Sequence, residues 1–501
     1  MVGCSGGRPA AIPDPLAFLP SPKEAAHLSS DPEALLPDMP ATGAAAEGRG
    51  QAATASPARA LFLFLLPLML GNALQSAGAT GSSILMGRLI GVDALAAISA
   101  FFPALFLLVS LIIGVGSASA VLIGQACGAG DHDQLKAVAG TSLTFTFLLG
   151  ACLGAVGSIF APAILRILGT PAAILPETIA FARVLLDTLP VLFLFDSFST
   201  FFRGTGDSKT PTYFLGISVV VNLVVTAALI LGWLGLPRLG VAAAAWGFVV
   251  GSAVTFAAFL VFLHRRRHPL RFDRAMARRL GLDRRILALL VKIGLPTGVQ
   301  MVLISLSEIA VITFVNRFGP SATAAYGAVN QIASYVQLPA ISLGITVSIF
   351  GAQAIGAGRP EGLRRIVRAG IGLNFAVGGT LIAAAYLGSG PLLGAFITDP
   401  ATAAVAHGLL MITLWSYLVF GTSVVLGGMM RSSGDVFWPM VLSIAAIWLV
   451  EVPIAYVMSH RIGLTGVWLG YPASFVVGLG LQTVYYLRIW RRRAHGRLLA
   501  G

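Results

Sequence analysis

From Leu61 onward the chain alternates long apolar runs with short polar ones, and the runs have the length of a bilayer-crossing helix. A span needs roughly 20 mainly apolar residues. The pattern predicts twelve helices, over 61–86, 94–124, 136–162, 178–202, 212–234, 241–264, 287–316, 323–351, 367–395, 404–430, 438–459 and 464–489. Residues 1–57 have no comparable run and are rich in Ala, Pro, Gly and Ser, with prolines at Pro9, Pro13, Pro15, Pro20 and Pro22. That composition predicts a disordered cytoplasmic tail. Asp14, Glu24, Asp31, Glu33 and Asp38 set it apart from a cleaved transit peptide, which is poor in acids.

Charge then orients the helices. Outside loops hold Arg88, Arg166, Arg238, Arg317 and Arg461, whereas the dense cluster Arg265–Arg285 and the group Arg491, Arg492 and Arg493 fall on the opposite side. By the positive-inside rule both termini are cytoplasmic. The expected organisation is a tail at 1–57, a first half at 58–264, a basic cytoplasmic linker at 265–286, a second half at 287–490 and a basic cytoplasmic tail at 491–501.

Composition agrees with a membrane protein: 56% of the 501 residues are hydrophobic and 11% charged, against about 25% charged in ordinary soluble chains. The net charge of +13 is explained by orientation in a bilayer, so no nucleic-acid partner is expected. Cys4, Cys127 and Cys152 are too scattered for a disulfide framework or a paired metal site.

The two halves repeat. Gln125-Ala126-Cys127-Gly128-Ala129-Gly130 matches Gln353-Ala354-Ile355-Gly356-Ala357-Gly358 at an offset of 228. Arg203, Gly206, Asp207 and Pro211 match Arg431, Gly434, Asp435 and Pro439 in the same register, as do Ala94, Ala96 and Ala97 with Ala322, Ala324 and Ala325. Six helices separate the copies, so both halves share one orientation and an axis along the membrane normal relates them. Transporters built from repeats bind substrate near the midplane between halves. The fold class expected is therefore an all-α integral membrane protein with twelve transmembrane helices in two six-helix bundles.

These segments resemble the multidrug and toxic compound extrusion (MATE) family. The residues that carry the resemblance are Leu66-Pro67 to Gln75, Met86-Gly87-Arg88-Leu89, Gly124 through Gly130, Arg203 through Pro211, Gly294-Leu295-Pro296 and Ala352 through Gly358. The resemblance implies a V-shaped pair of bundles that exports small, often cationic and aromatic compounds in exchange for protons or sodium ions. It implies a plasma membrane location, the bacterial inner membrane. A lipid-linked saccharide flippase of a related twelve-helix family is the alternative. Flippases of that kind commonly line their cavity with basic residues, and Arg183 is the only one assigned inside a span.

Charges inside spans mark functional sites by default. Glu308, mid-span on helix seven, is the first candidate for ion coupling, with Asn330 and Gln331 expected at similar depth on helix eight. Such oxygens suit sodium, and the carboxyl can equally exchange a proton. Asp196 is second; it has no local partner in the sequence, and Asn222 is its candidate hydrogen-bonding neighbour. Glu451, third, precedes Pro453, which frees a backbone carbonyl. Arg183 and Asp187, four apart, are expected to pair on one helix face.

Relative to the family, acids that some members carry on helices one and five fall here at Ser82 and Thr226, and the usual sodium-branch Glu of helix seven aligns nearer Ile304. The coupling acid is accordingly expected at Glu308 in the second half. Tyr326, Tyr335, Trp415 and Tyr417 offer aromatic faces for a cation, and Gln75, Gln300 and Gln337 polar contacts. The Arg-x-x-Gly-Asp segments at Arg203 and Arg431 are expected to be turns with charges facing water and headgroups. No nucleotide motif, catalytic triad or metal-spaced cluster is visible, so neither an enzyme nor a cofactor is expected, and a monomer is the expected state.

Overall fold

The computed structural model describes residues 56–235, 237–266 and 268–499. The expected disordered tail therefore lies outside the described residues except at its last two positions. Among the described residues the secondary structure is helical throughout, without strands. The spans are α1 (Pro57–Leu89), α2 (Val92–Ala129), α3 (His132–Ile167), α4a (Leu175–Asp187) with α4b (Leu189–Thr205), α5 (Lys209–Leu231) and α6 (Ala242–Arg265). The second half has α7 (Arg284–Asn316), α8 (Pro320–Gly356), α9 (Pro360–Leu387), α10a (Pro400–Thr413) with α10b (Ser416–Ser432), α11 (Phe437–Ile462) and α12 (Leu464–Arg492). Counting each bent pair once gives twelve, in the two bundles that the repeat requires.

The two bends share one register. α4 turns by 52° at Thr188 and α10 by 43° at Trp415, positions that the 228-residue offset nearly superposes. At the first, Pro190 has no N–H to continue the ladder and the Thr188 hydroxyl bonds back to Val184 and Leu185. At the second, the Trp415 N–H leaves its helix to donate to the Tyr386 hydroxyl of α9, 3.0 Å away. The bend also corrects an expectation. Asp187 is the last residue before the break, both it and Arg183 stand exposed, and no ion pair joins them among the described residues.

Where the cores lie shows how the halves meet. The end that carries the linker and the C-terminal segment is called here the basic end. Away from it, one core is built only from α1–α6, with Met86, Phe101 and Phe181, and another only from α7–α12, with Val315, Tyr326 and Trp468. At the basic end the cores are shared. Leu61 and Leu65 of α1 pack with Leu343, Val347, Val367 and Met429 of the second half, and Phe64 lies edge-on to Phe350. Reciprocally, Ile286, Leu290 and Ile293 of α7 pack among Leu122, Phe198, Phe202 and Phe259 of the first half. The bundles are thus joined at the basic end and separate at the other, and the first turns of α1 and α7 are exchanged between them.

The repeated motif makes the joint. Gln125 Nε2 donates to the Ser432 carbonyl at 2.9 Å, and Gln353 Nε2 donates to the Gly204 carbonyl at 2.9 Å; the offset of 228 maps each bond onto the other. Gly128 and Gly356 sit where the opposite helix passes so close that a Cβ would overlap the Gln353 and Gln125 carbonyls, respectively. In the Arg-x-x-Gly-Asp turns, Gly206 and Gly434 take φ of 96° and 80°, which favour glycine. Asp207 accepts from the Lys209 and Thr210 N–H groups, and Asp435 accepts from the Tyr485 hydroxyl. The arginines do not face headgroups as expected. Arg203 is half-buried within reach of the Asp196 charge, and Arg431 is half-buried with its Nε enclosed and without a hydrogen-bond partner among the described residues, both in the last turn of their helices.

The linker is tied to the first half. Lys136 pairs with Asp273 at 2.7 Å, and Asp273 also caps a helical turn by accepting from the Met276 N–H. The lysine hydrogen bond, with that cap bond, holds the carboxyl down at about 2. A depressed carboxylate contributes stability above its unfolded value near 4 that is lost as pH falls toward 2, so this tie is fully present at any physiological pH. His268 stacks on Phe202 with centroids 4.6 Å apart, and burial lowers its imidazole to about 4, leaving it neutral.

Candidate ion-coupling site

Glu451 occupies the last position of a π turn, Ile447–Glu451, that widens α11 just before Pro453. The residue is only 4% exposed and accepts from the Ser474 hydroxyl of α12 at 2.8 Å. Close packing with α12 depends on Gly470, where a Cβ would lie 2.8 Å from the Glu451 carbonyl. Around it stands an aromatic shell. The hydroxyls of Tyr326 and Tyr471 are 3.2 Å apart, and Trp468 stacks on Tyr326 with centroids at 5.1 Å. Tyr417 packs against Phe475 at 5.5 Å, and Phe420 against Phe475 at 5.1 Å.

Glu308 of α7 joins this group electrostatically. Its charge reaches Glu451, Tyr326 and Tyr417, yet it has neither a hydrogen bond nor an ion pair among the described residues and its side chain is exposed. The structure thus brings together the first and third acids singled out in the sequence. It forms no hydrogen bond between Glu308 and Asn330 or Gln331. Those amides lie with Tyr335, which is 56% exposed, on the open face of α8, while Tyr326, Val329, Ile332 and Val336 bury the other face. A polar stripe is costly against lipid, which gives it a reason to line the space between the bundles.

The remaining candidates are dispersed. Gln75 is exposed on α1, Gln300 and Gln337 are half-buried, and Trp415 is exposed at the bend of α10. Asn222 is not the neighbour of Asp196 that the sequence suggested. It is buried between α5 and α6, accepts from the Thr226 hydroxyl at 3.1 Å and packs against Gly247 and Gly251. Asp196 instead lies near Gly116 of α2, with Arg203 two turns along its own helix as a charge partner. Among the contributors that escaped the sequence reading are Trp468, Tyr471 and Ser474. Their spacing of three placed them on one face of a helix, a signal that hydropathy alone passes over.

A two-bundle helical fold joined at one end, with acids and aromatics set into one bundle, defines a membrane transporter. The MatE family model matches residues 67–228 and 296–457. The chain belongs to this family of multidrug efflux transporters. It is 51% identical over 443 residues to the probable multidrug resistance protein YoeA of Bacillus subtilis, covering 88% of this chain and 96% of that one. It is 28% identical to the probable multidrug resistance protein YpnP of the same organism, over 85% of this chain and 94% of the relative. Among solved structures, a mutant of the Vibrio cholerae MATE transporter VcmN superposes with a TM-score of 0.81 at 18% identity, covering 87% of this chain and 98% of that one.

Proposed function

We propose that the protein is a secondary antiporter that exports small cationic or amphipathic compounds in exchange for protons or sodium ions, the basic end being cytoplasmic. The observation that carries this reading is the buried Glu451, held by Ser474 within its tyrosine shell, with the exposed Glu308 of α7 near enough for its charge to bear on it. Two carboxylates that feel each other in apolar surroundings are poorly tolerated bare, and a proton or a cation relieves the charge. Glu308 supplies the accessible member and Glu451 the fixed one, held by Ser474. The aromatic faces of Tyr335, Trp415 and Tyr417, with the amides of Gln75, Gln300, Asn330 and Gln331, supply contacts for an amphipathic cation. The flippase reading gains nothing: Arg183, the basic residue that the sequence placed within a span, is exposed and makes no ion pair among the described residues.

Purified protein in liposomes, with proton and sodium gradients imposed independently, tests the proposal. Export should follow one gradient and collapse when it is dissipated; transport indifferent to both would refute antiport. For orientation, a single cysteine placed among Arg271–Arg279 should resist labelling by an impermeant reagent applied to intact cells. Ready labelling there would invert the topology.

Asp196 supports this mechanism from the other bundle without being its sole coupling residue. Asn keeps the shape and hydrogen-bonding capacity while leaving Arg203 without its charge partner. Asp196→Asn is expected to retain appreciable export, within about tenfold of wild type if the lost charge interaction is worth up to about 1.4 kcal/mol. Complete loss in correctly inserted protein would make Asp196 the primary ion site.

A further inference from the structure

Beyond α12 the chain does not leave the protein. Trp490 is buried, donates to the Ser433 hydroxyl at 2.8 Å and stacks on His495 with centroids 4.0 Å apart, while Arg493 reaches Asp435 at 3.6 Å. The segment then continues without helix along the joint between the bundles and ends in a turn at Leu498 and Leu499. Arg497 Nε donates to the Gly356 carbonyl at 2.9 Å on its own side, and the Leu498 N–H donates to Gln125 Oε1 at 2.9 Å across the joint. Gln134 Nε2 of α3 donates to the Leu499 carbonyl at 2.6 Å, and the Leu499 side chain enters the first half's core beside Leu135, Val138 and Met276.

This breaks the twofold symmetry of the joint. Gln125 uses its amide nitrogen on Ser432 and its oxygen on Leu498, whereas Gln353 at the mirror position makes, among the described residues, only the bond to Gly204. The corresponding stretch of the first half, the linker, stays at home, with the Thr141 and Thr144 hydroxyls bonded to the Gly281 and Leu280 carbonyls. A segment rooted in one bundle and anchored in the core of the other must let go whenever the joint opens.

We propose that residues 493–499 form a one-sided clasp on the basic end, with Gln125 and the Leu498 peptide N–H as positioning residues that set the balance between its closed and open states during transport. The proposal rests on the reading that this end opens and closes in the transport cycle. Its interactions exist only in the closed state, so removing them favours opening without touching the acids of the ion site.

The test uses full-length protein lacking its native cysteines, with spin labels at His132 and Glu361, which are exposed at this end of either bundle. Leu498→Pro deletes the donor N–H that reaches Gln125, and should raise the ratio of long to short label distances by about 2- to 10-fold, the worth of one net hydrogen bond. Leu498→Ala keeps the donor and removes only the side chain's packing against Gly434 and the edge of the first half's core, so it should shift the distances by less than the proline does. Leu499→Asp places a charge in the apolar core and should open the joint at least as far as the proline. Unchanged distances in both Leu498→Pro and Leu499→Asp overturn the clasp, as does an alanine shift equal to the proline shift, which would locate the effect in the side chain. A wild type whose distances never lengthen under any ion or substrate condition overturns alternating access itself, and the clasp with it.

Discussion

Glu308→Gln should abolish gradient-driven export while leaving folding and some substrate binding intact. The amide keeps the size and hydrogen-bonding reach of the carboxyl and removes its charge and its titration. Nothing in the packing opposes the change, since Glu308 is exposed and makes no hydrogen bond or ion pair among the described residues. What disappears is one half of the pair with Glu451, and with it the need to take up an ion before the cavity turns over. A proton-coupled transporter will show substrate affinity that varies with pH in wild type and not in the variant; a sodium-coupled one will lose sodium-dependent affinity instead. Glu308→Asp, with a shorter reach, should retain part of the export rate. Normal pumping by Glu308→Gln under either gradient would reduce Glu308 to a structural role, and Asp196 and Glu451 would be next to test.

Gly128→Val is expected to be equally severe for a different reason. A side chain at position 128 would collide with the backbone of Gln353, which has no flexible end to swing aside. The collision belongs to the joined state alone. Overpacking of this kind costs about 1–3 kcal/mol, enough to shift the closed-to-open ratio by roughly 5- to 150-fold. The protein should still insert, but cysteine pairs across the basic end should cross-link poorly and export should fall with the closed population. Gly356→Val, its mirror position against Gln125, should behave alike. Gly372→Val is the control, because open space surrounds that glycine on α9. Wild-type export by Gly128→Val would mean that this close crossing is not part of the working cycle.

The spans were legible because a bilayer sets a minimum apolar length, and most run within a few residues of the structure; the ninth, expected over 367–395, is Pro360–Leu387. The repeat was legible too, down to the register in which Gln125 donates to Ser432 and Gln353 to Gly204 across the joint. The bends were not. Leu175–Thr205 is apolar on both sides of Thr188, and hydropathy cannot see a helix change direction. That blindness undid the Arg183–Asp187 pair, which presumed an uninterrupted helix. The partner of Glu308 was hidden for a similar reason: a π turn adds a residue to α11 and so shifts the face on which Glu451 falls, beyond what a 3.6-residue period can report. Asp196 lacked a neighbour at the usual three or four positions, and its partner was Arg203, nearly two full turns away.

The exchange of α1 and α7 between bundles also governs how the chain is made. During synthesis, Leu61 and Leu65 enter the membrane first, but their apolar partners on α8, α9 and α10 are translated only after most of the chain has followed. The first six helices can complete their far core alone, while their basic-end core lacks Ile286, Leu290 and Ile293 until α7 arrives. Assembly must therefore finish from the far end toward the basic end. The earliest segment to be inserted is among the last to be locked, so a nascent chain stalled before α7 holds an unfinished surface for its longest-lived intermediate.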